Sequence, residues 1–176
     1  IGGAMFTHGR LEEAITKADR LMYMAKGHKN IVVTRWEQKQ NTDKMEKRNL
    51  PQLLVVDDSE MNREILKEIL GKEYRILEAC DGEEALEMLE QHGTEISLVL
   101  LDIIMPKMDG FEVLAYMNRD KWIEEIPVIM ISSEGSESYI RRAYELGASD
   151  YISRPFDTKV VYQRVINMIK LYAKQR

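Results

Sequence analysis

Four consecutive apolar residues, Leu98 to Leu101, carry the chain to a single carboxylate, Asp102. The chain then turns through Met105-Pro106 and Asp109-Gly110. A short apolar run bounded by turn residues marks a strand buried on both faces, as in a parallel sheet. In open α/β sheets the carboxyl ends of the strands are where ligands bind. A carboxylate left alone there is costly unless a cation or a proton neutralises it. Asp102 therefore reads as a site, and the other strand ends are where its partners should lie.

From Gln52 onward strand and helix patterns alternate five times. Strands are expected near 52–57, 74–79, 97–102, 127–132 and 150–153, and helices near 59–71, 82–92, 110–119, 136–146 and 158–173. Met61, Ile65, Leu66, Ile69 and Leu70 fall on one side of the first helix, and Gly71 reads as its C-terminal glycine. Asp81-Gly82, Asp109-Gly110 and Gly147 are turn signals. Alternation of this kind means an α/β fold, a parallel sheet covered by helices on both faces through right-handed crossovers.

The first strand ends in Asp57-Asp58, the fourth in Ser132-Ser133 and the fifth in Arg154-Pro155-Phe156. If the first and third strands are neighbours, three carboxylates converge, and like charges so close cannot all stay ionised without compensation. Magnesium, which takes oxygen ligands and typically keeps one or two carboxylates, is the natural remedy. With a hydroxyl at Ser132 and a cation at Arg154, the edge becomes a cradle for a phosphoryl group that a carboxylate attacks. Plainer readings stand beside this one. Asp58 or Ser59 can cap the following helix, Ser132 can be a loop serine, and Arg154 can be a surface arginine.

The rest of the composition narrows the class. At 176 residues with a net charge of -5 and no dominant basic stripe, non-specific nucleic-acid binding is disfavoured. The single cysteine, Cys80, excludes an intramolecular disulfide and reads as a small packing residue, while His8, His28 and His92 stand apart at no metal-binding spacing. No apolar run approaches the roughly 18 residues of a membrane span, so a cytoplasmic location is expected.

With these motifs in hand, residues 52–173 resemble the receiver domain of bacterial two-component response regulators. The carrying residues are Asp57-Asp58, Leu101-Asp102-Ile103-Ile104-Met105-Pro106 with Asp109-Gly110, Ser132, Tyr151 and Arg154-Pro155-Phe156. The resemblance implies a flavodoxin-like five-stranded parallel sheet in the order 2-1-3-4-5. It implies Asp102 as phosphoacceptor, and Mg2+ (or Mn2+) held by Asp58, Asp102 and the Ile104 backbone carbonyl, with Asp57 acting through water. Ser132 and Arg154 would bind the phosphoryl group, and Ser132 with Tyr151 would form the switch; the alternative for Tyr151 is a half-buried strand aromatic. The family usually has Lys-Pro-Phe where this chain has Arg154-Pro155-Phe156, and a guanidinium fork differs in bulk and reach from an ammonium.

The implied partners are a histidine kinase or phosphotransfer protein, an attached output domain, and a second copy through the fourth helix, fifth strand and fifth helix. Tyr139, Arg141, Arg142 and Arg164 are available on that surface and otherwise read as ordinary solvated residues. The resemblance implies a signalling module that assists its own phosphorylation and dephosphorylation rather than an enzyme. The alternative is a receiver-like interaction scaffold that works without phosphorylation.

Residues 1–34 read as a small β-α-β piece. Ile1-Gly2-Gly3, Ala18-Asp19-Arg20-Leu21-Met22-Tyr23-Met24-Ala25-Lys26 and Lys29-Asn30 resemble the C-terminal end of a GGDEF-type diguanylate cyclase domain. The catalytic Gly-Gly-Asp/Glu-Glu-Phe turn is absent from the sequence, so this piece is expected to be a packing unit without cyclase activity. Residues 35–51 mix both signs of charge with almost no apolar periodicity and read as a solvated, partly helical linker. The chain starts at Ile1, so a longer parent in cyclic-di-GMP signalling is expected.

Overall fold

The computed structural model describes residues 37–46 and 48–174. The chain divides into two units, Ile1–Asn49 and Leu50–Arg176. In the first, residues 37–46 are helical and exposed, and the Thr42 hydroxyl donates to the Gln38 carbonyl at 2.7 Å. The cyclase-like resemblance of residues 1–34 lies outside the described residues, as do His8 and His28.

The second unit has β1 (Gln52–Val56), α1 (Glu60–Leu70), β2 (Arg75–Ala79), α2 (Gly82–His92), β3 (Ile96–Leu101), α3 (Gly110–Arg119), β4 (Val128–Ser132), α4 (Glu137–Glu145), β5 (Asp150–Ser153) and α5 (Thr158–Ala173). The strands form one parallel sheet in the order β2-β1-β3-β4-β5. This is the flavodoxin-like architecture.

Alternation along the central strands sorts the core into two layers. Leu54, Val56, Val99, Leu101 and Met130 pack with Leu89 of α2, Leu114 of α3 and Ala143 of α4. On the other face Leu53, Val55, Leu100, Ile129 and Ile131 pack with Leu66 and Leu70 of α1 and Val161 and Val165 of α5. Each fully buried aliphatic side chain contributes about 1.5–3 kcal/mol. Both faces of β1 and β3 are therefore anchored up to their carboxyl tips.

The helices start where short polar side chains replace the missing backbone partners. Ser59 accepts from the Asn62 N–H, Asp81 from the Glu84 N–H, and Asp109 forms a reciprocal capping box with Glu112. Gly71 does end α1, but at φ -69° rather than in the left-handed region. Its reason is space: a Cβ there would lie 2.5 Å from the Lys67 carbonyl oxygen. Gly147 does sit at positive φ, +109°.

Candidate functional site: an acidic pocket at the carboxyl edge of the sheet

The site begins as a continuation of the sheet. Beyond the strands, Asp57 N–H donates to the Ala79 carbonyl at 3.1 Å, Asp102 N–H to Val56 at 2.9 Å, and Arg154 N–H to Ser132 at 2.9 Å. The backbone of these three residues is thus fixed by a neighbouring strand before their side chains make any contact.

Asp57, Asp58 and Asp102 are brought together, with carboxylate oxygens within 4.8 Å of one another. Asp57 is 1% exposed and Asp102 8%, while Asp58 faces solvent. Asp57 Oδ1 accepts from the Ser59 N–H at 2.8 Å and from Asn62 Nδ2 at 3.4 Å. Its other oxygen takes Arg154 Nη2 at 2.5 Å, and Arg154 Nη1 lies 3.6 Å from Asp102 Oδ1. Asp102 Oδ1 also accepts from the Ile103 N–H at 2.8 Å.

Burial pushes the Asp102 carboxyl up to about 6, the Asp57 and Asp58 charges add to this, and Arg154 and the Ile103 N–H oppose it. Three acids facing one guanidinium leave an excess of negative charge. That donor set, hard oxygens from two buried acids and one exposed one, fits a divalent cation such as Mg2+.

The loop after Asp102 is held by alternate burial. Ile103 and Met105 point inward, whereas Ile104 is 55% exposed. Gly110 N–H donates to the Ile103 carbonyl at 2.8 Å. Lys107, at φ 67°, reaches back to Asp81 at 3.3 Å and ties this loop to the start of α2.

Ser132, 1% exposed, lies at the same edge, and its Oγ accepts from the Glu134 N–H at 3.1 Å. Tyr151 is buried, and its hydroxyl donates to the Glu134 backbone carbonyl. Glu134 is therefore held from both sides through its backbone. The amino-acid pattern carries no signal of this, because any residue presents the same groups. Two further residues were missed for a different reason. Asn62 and Arg63 in the first turn of α1 reach Asp57, Arg63 through Nη1 to its carbonyl at 2.7 Å. Their distance of one helical turn from the acids was the available clue.

All four residues read as solvated make contacts. Tyr139 packs edge-on against Phe111, Arg142 lies over the same ring at 4.4 Å, and Arg164 donates to Asp150 at 3.2 Å and to the Tyr151 carbonyl at 3.1 Å. Arg141 pairs with Glu137 along the exposed face of α4. Cys80, expected to pack inside, is exposed, and its thiol donates to Glu84 Oε2 at 2.9 Å. Its position at the end of the edge strand β2 leaves nothing to bury it.

Fold and pocket together define a flavodoxin-like α/β protein with an acidic site at a strand-end edge. The family model for the response regulator receiver domain matches residues 53–166, and the chain belongs to that family. It is 39% identical over 113 residues to a "Probable cyclic di-GMP phosphodiesterase" of Vibrio cholerae, covering 64% of this chain and 25% of that protein. It is 36% identical over 121 residues to "Response regulator RR06" of Streptococcus pneumoniae, covering 68% of this chain and 54% of that protein. The chain thus spans about a quarter and about half of these two relatives. Among solved structures, the CheX-CheY-BeF3-Mg+2 complex from Borrelia burgdorferi aligns with a TM-score of 0.62 at 36% identity, covering 69% of this chain and 96% of that one. The chain is also 36% identical over 118 residues to "Histidine kinase P4" of Formosa agariphila, covering 67% of this chain and 8% of that protein. Among the described residues no helix is long and apolar enough to cross a membrane.

Proposed function

We propose that the domain accepts a phosphoryl group on Asp102 from a histidine kinase or phosphotransfer protein and changes conformation to control an attached output. The observation that carries this is the convergence of Asp57, Asp58 and Asp102 beneath Arg154. An Asp102 oxygen forms the new bond to phosphorus as the bond from phosphorus to the donor breaks, and the donor leaves with that electron pair. For this Asp102 must be ionised, and a carboxyl pushed up to about 6 is ionised in most molecules at neutral pH. The Ile103 N–H holds one of its oxygens in place.

Asp58, Asp102 and the Ile104 carbonyl would hold Mg2+ (or Mn2+), with Asp57 acting through water. The cation supplies positive charge to the phosphoryl oxygens. Arg154 is placed to take one of those oxygens through its fork, and Ser132 another through its hydroxyl. When Ser132 turns to the phosphoryl group it releases the Glu134 N–H, and the Tyr151 hydroxyl bond to Glu134 repacks with it. Phosphorylation would in this way reach the loop that leads into α4.

A phosphodonor has a landing surface beside the pocket. Asn62, Ile65, Ser133, Arg154, Pro155, Phe156 and Thr158 line a groove of about 460 Å³, and Met61 and Ile104 stand exposed. The second unit, near 52–173, would be the receiver, preceded by a charged linker (35–51) and a cyclase-like fragment (1–34). The relative named as a cyclic di-GMP phosphodiesterase supports a cyclic-dinucleotide context.

One observation favours the second reading, a scaffold that acts unphosphorylated: Arg154 is clasped to Asp57 rather than left free. Incubation with acetyl phosphate and magnesium followed by intact-mass measurement separates the two. A gain of one phosphoryl group, lost in Asp102→Asn, supports phosphorelay; a persistent failure to gain it leaves the scaffold.

A further inference from the structure

Arg154 bridges two of the acids the cation needs. Its Nη2 sits on Asp57 Oδ2 at 2.5 Å and its Nη1 approaches Asp102 Oδ1 at 3.6 Å, with the guanidinium mostly shielded from solvent. Asp57 has little capacity to spare, because its Oδ1 is already engaged by the Ser59 N–H and by Asn62. A planar fork gives each of two carboxylates its own nitrogen, whereas an ammonium must aim all its donors from a single nitrogen on a different stem. We propose that Arg154 is an internal competitor of the divalent cation: its fork grips Asp57 and lies against Asp102, so that cation binding draws it away from them and the site's affinity for Mg2+ is set by this arginine. The proposal rests on the reading of the acidic pocket as the cation site.

Two positive groups drawing on the same carboxylates are linked reciprocally, so whatever loosens one tightens the other. Lysine at this position keeps the charge but replaces the two-nitrogen fork by a single nitrogen, which separates the fork's geometry from simple repulsion. The effect is therefore one of geometry, and a charge-conserving change reveals it.

The test titrates Mg2+ into the wild-type protein, Arg154→Lys, Arg154→Met and Asp58→Asn by calorimetry, and follows the Arg154 side-chain N–H signal of the wild type by NMR. Arg154→Lys is expected to bind Mg2+ about tenfold more tightly than wild type, with Arg154→Met at least as tight. The wild-type Arg154 signal should shift with the same midpoint as the heat, reporting its release from Asp57. Equal or weaker binding by Arg154→Lys overturns the competition while leaving the cation site standing. So does an Arg154 signal that ignores saturating Mg2+, a readout that needs no variant to fold. Binding that is absent throughout, or untouched in Asp58→Asn, overturns the cation-site reading and the competition with it.

Discussion

Gly110 and Asp102 approach so closely that a Cβ on Gly110 would lie 2.1 Å from the Asp102 carbonyl oxygen and 2.9 Å from Ile103 Cα. Both obstacles are backbone atoms, which cannot swing aside. The glycine lets α3 begin directly against the residue proposed to carry the phosphoryl group.

Gly110→Ala is therefore expected to destabilise the domain by about 1–3 kcal/mol, the usual range for overpacking a tight interior. Because the shift falls on the Asp102 backbone, phosphorylation by acetyl phosphate should slow as well. Urea unfolding and the rate of mass gain measure the two effects separately. Unchanged values for both would mean that the backbone yields at this contact without cost.

Asp102 supplies a pH dependence. Its folded-state value of about 6 stands above the ordinary 3.8, so between those limits the folded protein binds protons that the unfolded chain releases. Stability present below pH 4 is thus lost as pH rises through 6, by at most about 3 kcal/mol. Asp102→Asn should abolish this slope and stabilise the protein at pH 7 by about 1–3 kcal/mol. Denaturant unfolding at a series of pH values in a metal chelator is the measurement.

Cys80 should alkylate slowly for an exposed thiol. The hydrogen bond to Glu84 holds the thiol pKa up, burial and the Glu84 and Asp81 charges adding to it, so less thiolate is present at pH 8. Glu84→Gln is expected to speed the reaction with iodoacetamide severalfold, whereas Glu87→Gln on the same helix leaves it unchanged.

Tyr151→Phe removes the donor to the Glu134 carbonyl and should cost about 1 kcal/mol. Amide exchange across residues 133–136 is expected to accelerate, while exchange in β1 and β3 stays as it was. Mass-spectrometric hydrogen exchange distinguishes that local loosening from a general loss of stability.

Much of this was legible in the chain. The strand limits fell close to where they were expected, because β1, β3 and β4 are built on the apolar runs Leu53 to Val56, Leu98 to Leu101 and Val128 to Ile131, with turn residues beyond them. Asp57, Asp58 and Asp102 were legible for the same reason, since packing alone gives no cause for an acid at the end of such a run. What the pattern does not encode is reach. Arg154 spans from β5 across to Asp57 at the tip of β1, a contact set by side-chain length and sheet twist. Glu134 acts through its backbone, and Arg142 finds the Phe111 ring only once α3 and α4 are packed. Cys80 was misplaced because it follows the buried Ala79 directly, yet stands beyond the end of an edge strand where no element covers it.

The two outer strands have one more property to contribute. β2 carries Arg75 in solvent and Glu78 clamped by Arg63 at 3.1 Å and Lys67 at 3.0 Å, and the four-residue β5 carries Asp150 paired with Arg164. Charges so placed, on margins that short, discourage strand-to-strand extension and the fibrous self-association it leads to. Recruitment of other chains is thereby left to helices and loops, and a signalling module can be present at high concentration without its copies zipping together.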